Sequence, residues 1–306
     1  MRPAAVGGAA PGAGSGGDSA GRAAAEHLAE ALPPLMVAAD RVAATVWQGV
    51  HGRRRVGQGE SFWQFRRYSF GDPVRLIDWR QSAKSDRAYV RENEWEAAQS
   101  VWLWRDGSPS MDWASRRDLP SKRDRATLLA LALGALLVNG GEQVAALGAA
   151  HPPRAGRHGF QRLAENLVAG AGAVPDAAAA ALLPRHSHAV LFGDFLSPLA
   201  AIRPVMAAFA ARSVKGMIVQ VIDPAEQALP HAGRVRYEGL EGEAPMLVSR
   251  AETIRPDYNA RMREHQDGLR AMAQAANWHF TIHHTDQPPH RALLALYLAL
   301  APDKAG

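Results

Sequence analysis

The run Asp106-Gly-Ser108-Pro-Ser110-Met111 sets one carboxylate and two hydroxyls at alternate positions, directly after the apolar stretch Ser100-Val-Trp-Leu-Trp104. Oxygen donors leaving a strand end at this spacing can converge on one hard divalent cation, because magnesium takes oxygen ligands and keeps waters that leave a position for a partner's carboxylate. The same hydroxyls can instead close a turn by bonding local backbone amides. A second strand-end carboxylate, Asp194, follows Ala189-Val-Leu-Phe-Gly193; Ser197-Pro198 already supplies a helix start, so capping need not fall to it. Asp223-Pro224, after a third apolar run, reads as a turn.

A serine hydrolase is the catalytic alternative, with Ser108 or Ser110 as nucleophile, Asp194 as the acid and a histidine from His283-His284. Against it, the Gly-x-Ser-x-Gly elbow is missing, and Pro109 removes a backbone donor that an oxyanion hole would use. The two histidines alternate across a strand, so at most one faces any rim. No catalytic residue is assigned.

These groups need a scaffold that brings strand ends together. From Ser100 onward the pattern alternates: strand Ser100-Val-Trp-Leu-Trp104, a helix over 122–138, strand Gln143-Val-Ala-Ala-Leu147, a helix over 160–168, strand His188-Ala-Val-Leu-Phe192. A helix carrying Leu199, Ile202, Val205, Met206 and Phe209 follows, then a strand over 217–222, a helix from Tyr258, a strand over 278–283 and a helix over 291–300. Near-continuous apolar strands between helices predict a doubly wound, mostly parallel α/β sheet buried on both faces, where ligands gather at the carboxyl ends of the strands.

The 306 residues, 47% hydrophobic and 21% charged, exclude a wholly disordered chain, and the absence of cysteine excludes disulfides and thiolate metal sites. The longest apolar run, residues 126–138, is too short to cross a bilayer. Residues 1–22 read as a disordered leader without the hydrophobic stretch of a secretory signal, and the chain as cytoplasmic. Residues 23–95 read as an N-terminal helix, interrupted or ended by Pro33-Pro34, with a second helix after it and then a basic strand-and-loop embellishment; 96–301 form the α/β domain.

The chain resembles the bacterial family named domain of unknown function 58, related to von Willebrand factor type A domains. The resemblance rests on Gly57-Gln-Gly59-Glu60-Ser-Phe62, Arg66-Arg-Tyr68-Ser-Phe-Gly71-Asp72, Ile77-Asp78-Trp79, Ser82-Ala83 and Asp106-Gly-Ser-Pro-Ser-Met111. Asp223-Pro-Ala-Glu226 with Leu229-Pro230, and Thr285-Asp286-Gln-Pro288, extend it. It implies a six-stranded, mostly parallel sheet with a metal-ion-dependent adhesion site at its top, to which Asp106, Ser108, Ser110 and, by its place after a strand, Asp194 correspond. That site's threonine has no counterpart, since none occurs between Thr127 and Thr253, so magnesium or another divalent cation is expected to bind weakly. Family members often sit beside MoxR-type AAA+ ATPases, which implies a non-catalytic adaptor linking such an ATPase to a client protein. Many relatives carry membrane helices ahead of this domain; this chain resembles the short soluble branch.

The net charge of +5 is concentrated: residues 53–91 carry +6 and the remainder −1. Arg53, Arg54 and Arg55, with Arg66-Arg67 and nearby aromatics, could stack and neutralise a nucleic acid. The interleaving of Asp72, Asp78 and Asp86 with Arg75, Arg80 and Arg87 fits internal ion pairs better. Arg53, Arg54 and Arg55 are therefore assigned to docking an acidic partner surface.

Overall fold

The computed structural model describes residues 33–48, 62–69, 74, 77–84, 87–93, 98–169, 174–240, 242 and 244–300. The leader, the helix expected over 23–32, Arg53, Arg54 and Arg55, and Asp72, Arg75 and Asp86 of the expected ion pairs lie outside them. A helix over 33–48 (α1) includes the proline pair as its first two described residues. The strands Phe62–Arg67 (β1) and Tyr89–Asn93 (β2) pair antiparallel, with the one-turn helix Trp79–Ser82 (α2) in the connection. Asp78 caps α2 by accepting from the Gln81 amide at 2.9 Å.

The main body begins with Ser100–Arg105 (β3) and continues through Lys122–Asn139 (α3), Gln143–Ala146 (β4), Gly156–Ala169 (α4), Ala177–Ala181 (α5), His188–Gly193 (β5), Leu199–Ala211 (α6) and Lys215–Ile222 (β6). Pro224–Ala228 (α7), a short antiparallel pair Val235–Tyr237 (β7) and Met246–Val248 (β8), Ala251–Ala275 (α8), His279–His284 (β9) and Pro289–Leu300 (α9) complete it. The long helix starts at Ala251, seven residues before the expected Tyr258, and takes in Pro256 as its sixth residue.

The strands β4-β3-β5-β6-β9 form one sheet, and every pairing in it is parallel. Among the described residues it has five strands, where the family resemblance implied six. Side chains alternate between its faces as a pleated strand requires: Val101 and Leu103 pack with α3, α4 and α9, while Trp102 and Trp104 pack with α5, α6 and α8. α3 is buried nearly all round, since α1, α4 and α9 surround it, which explains its apolar run without any membrane. No helix among the described residues is long and apolar enough to cross a bilayer.

The strand order fixes where a site can form. The chain winds outward from β3 to β4, then returns to place β5 on the other side of β3. The loops leaving β3 and β5 therefore diverge to opposite faces, and the crevice between them is the topological switch point of the sheet.

Candidate functional site

Asp106 and Asp194 are the residues that follow these two strands. The Asp106 amide donates to the Phe192 carbonyl at 2.8 Å, carrying the β3–β5 ladder one step beyond the strand. Its Oδ1 then accepts from the Ser108 amide at 2.8 Å, which turns the loop into the 3-10 turn Pro109–Asp112. Met111 anchors that turn in the core. The close strand approach needs Gly193: a Cβ there would lie 2.9 Å from the Asp106 Cβ and 3.3 Å from the Trp104 ring. Gly193→Ala is expected to cost about 1–3 kcal/mol in urea unfolding, as overpacking against backbone-fixed neighbours does.

The residues singled out in the sequence converge. Ser108 Oγ and Ser110 Oγ are 2.9 Å apart, and Ser110 Oγ donates to Asp194 Oδ2 at 2.9 Å. Asp194 is 3% exposed; its Oδ1 accepts from the Leu196 amide at 3.2 Å, and it caps no helix, since α6 has Pro198 at its N-cap and no side-chain cap. The chain leaves Asp194 through Phe195, whose φ of 50° is left-handed and strained for a bulky side chain. Three groups hold that turn. Gln220 Nε2 donates to the Asp194 carbonyl at 2.8 Å, His265 Nε2 bonds the Phe195 carbonyl at 2.6 Å, and the Phe195 ring packs tilted on Trp104.

Two participants were not singled out from the sequence. Lys122, the first residue of α3, is fully buried, and its Nζ donates to Asp194 Oδ2 at 2.8 Å and to Glu226 Oε1 at 2.5 Å. Burial alone would pull the ammonium pKa down, but the two carboxylates outweigh it and hold it above 10.5, so it is charged at neutral pH. Burial pushes the Glu226 carboxyl above its ordinary 4.5, with Lys122 opposing. Glu226 is positioned by α7: Asp223 caps that helix by accepting from the Ala225 amide at 2.8 Å, and Glu226 Oε2 accepts from the Asp223 amide at 3.1 Å. This is a capping box where the sequence read as a simple turn. Tyr258 Oη donates to the Glu226 carbonyl at 2.6 Å and is pushed up to about 12 by burial and by Glu226.

Ordered this way, the cluster reads Ser108, Ser110, Asp194, Lys122, Glu226. Each hydroxyl has a polar partner, and the lysine is a buried cation between two carboxylates. Neither serine hydrogen-bonds a histidine. His283 is buried on β9, beyond β6 from the serine loop, with Arg125 and His284 as its charged neighbours. Arg105, also buried, donates to the Leu167 carbonyl at 2.8 Å and to those of Asp106 and Val168, tying the end of α4 to the rim; burial lowers it to about 10, still charged at neutral pH.

The divalent ion implied by the resemblance fits this donor set poorly. The Asp194 oxygen facing Ser110 is already bonded to an ammonium, and a second cation there would meet that charge at short range. No group of three or more His, Asp or Glu side chains able to hold a metal forms among the described residues.

The cluster opens into a cleft of about 760 Å³. Ser110, Asp194 and Glu226 line it together with Trp113, Leu196 and Tyr237. Residues of the 229–240 segment, including β7, line it as well, and Leu240 there is 49% exposed. Its size and mixed lining are those of a binding site.

The family described as "Protein of unknown function DUF58" matches residues 64–268. The chain is also similar to the uncharacterized protein Mb1516 of Mycobacterium bovis and the uncharacterized protein Rv1480 of Mycobacterium tuberculosis. Each is 31% identical over 246 residues, covering 76% of this chain and 76% of the relative.

Proposed function

The chain belongs to the DUF58 family, and from that premise we propose that it is a non-catalytic protein-binding module of von Willebrand factor type A type, working in the cytoplasm as an adaptor for a MoxR-type AAA+ ATPase and its client. The observation that carries this reading is the cleft itself. A concavity of mixed polar and apolar lining opens at the switch point onto a polar cluster whose nucleophile-capable groups are bonded to one another, an arrangement suited to holding a ligand and poor for activating a serine. A hydrolase would need Ser110 beside a neutral base, yet its partner carboxylate is shared with a charged lysine. Trp79, 66% exposed, adds an aromatic anchor of the kind that dominates protein interfaces. The basic segment with Arg53, Arg54 and Arg55 supplies charge for an acidic partner surface.

The test is capture of a MoxR-type ATPase by the immobilised full chain at low and high salt. Capture is expected at low salt and should weaken as salt rises. Trp79→Ala and Arg53/Arg54/Arg55→Ala are each expected to weaken it by about tenfold or more, the scale of an interface hot spot. A salt-sensitive partner that proves to be DNA or RNA, or capture unchanged in both variants, would overturn the reading.

A further inference from the structure

We infer that the ammonium of Lys122 is the resident cation of the rim cluster, supplying at Asp194 the positive charge that the related adhesion sites take from a divalent metal, so that this site works without one. Asp194 has both carboxylate oxygens engaged: Oδ1 by the Leu196 amide, Oδ2 by Ser110 and by Lys122. The lysine arrives from below, out of the first turn of α3, and is completely shielded from solvent. A buried charge persists only where it is paired and hydrogen-bonded, and here two carboxylates from separate elements meet it at 2.8 Å and 2.5 Å. Glu226 is itself fixed by the capping box of α7, so the second carboxylate is built in and not a passing surface contact.

The position of Lys122 is otherwise unfavourable. The amino end of a helix carries partial positive charge and prefers acids, yet α3 opens with a lysine. The helix dipole and complete burial both disfavour an ammonium there, and its ion pairs are the compensation that the structure displays. A tethered monovalent cation also changes what the cleft can accept. A bound divalent ion would offer an open position to a partner's carboxylate, whereas here a carboxylate reaching Ser110 would face Asp194 and Glu226 with only one positive charge between them. The cleft floor therefore selects neutral or basic partner groups. This last consequence rests on the binding reading above; the identity of the cation does not.

The experiment is manganese titration by calorimetry and thermal melting of the full-length chain, as wild type, Lys122→Arg and Lys122→Ala. Wild type is expected to give no binding heat at millimolar manganese and the same melting temperature in manganese and in chelator. Lys122→Ala should melt lower and regain part of the loss as manganese rises, because the vacated oxygens can then take the ion; Lys122→Arg should stay indifferent to manganese. If Lys122→Ala does not fold, wild type and Lys122→Arg decide. Micromolar manganese binding by wild type that Asp106→Ala abolishes would overturn the inference, as would a Lys122→Ala variant that melts like wild type. A wild-type chain that ignores manganese but captures no ATPase would overturn the docking reading and leave the lysine inference standing.

Discussion

Lys122→Met is expected to lower unfolding stability by about 3–5 kcal/mol, the cost of leaving buried carboxylates without their counter-charge. The Lys122 side chain is 0% exposed and the side chains of Asp194 and Glu226 only 4% and 17%, so solvent replaces little of the ammonium's charge. Urea unfolding of the single variant, of Asp194→Asn and of the two combined would measure the coupling. The double variant should lose less than the sum of the singles, because each single strands a charge that the other removes. The lysine term has a definite pH sense. Its folded pKa lies above 10.5, so its contribution is complete below that value and is lost only as pH rises through the higher folded pKa. Alkaline unfolding should therefore begin earlier in Lys122→Met relative to its own neutral-pH stability only if other groups carry it; the lysine's own alkaline phase should vanish.

His283 is expected to make the fold acid-labile. Burial, then the Arg125 guanidinium and the neighbouring His284, lowers its pKa from 6.5 to about 4, and its Nε2 has no hydrogen-bond partner. Above pH 6.5 both folded and unfolded chains hold it neutral and nothing is lost. As pH falls, the unfolded chain takes up the proton first, and the penalty grows until about pH 4, reaching roughly 3 kcal/mol at 1.36 kcal/mol per unit. Glu226 works in the opposite direction, because its raised pKa favours the folded state as it protonates. The clean measurement is thus the difference between wild type and His283→Leu in urea midpoints from pH 7 to pH 4. A difference that stays constant across that range would contradict the assignment.

The parts of this site that sequence reading reached are those where one residue announces its own position. Asp106 and Asp194 each end an apolar run, and a parallel sheet must bring such ends to one edge, so their convergence with Ser108 and Ser110 followed from topology. Asp223 also ends a strand, but its role as half of a capping box depended on Glu226 three residues on, a spacing visible in Asp223-Pro-Ala-Glu226 and passed over as a turn. Lys122 was hidden differently. In Lys122-Arg123-Asp124-Arg125 it looks like one of several solvated charges bracketing an apolar helix, and Arg123 beside it does lie near the surface, 2.6 Å from Asp112. The sequence alone does not say which of the two is buried. The available signal was the misfit of a lysine at a helix amino terminus just behind the cap residue Ser121. The five strands of the sheet among the described residues are the five that the alternating apolar runs named, and the sixth came only from the family resemblance; the β7–β8 pair beside the cleft could not be read from periodicity, because a three-residue strand is shorter than any window that reports it.

The most direct measurement is a crystal structure grown in manganese, read through its anomalous difference map. The account predicts Lys122 Nζ between the carboxylates of Asp194 and Glu226, Ser110 on Asp194, and no anomalous peak in the cluster. A peak ringed by Asp106, Ser108, Ser110 and Asp194, with the lysine turned away, would contradict it.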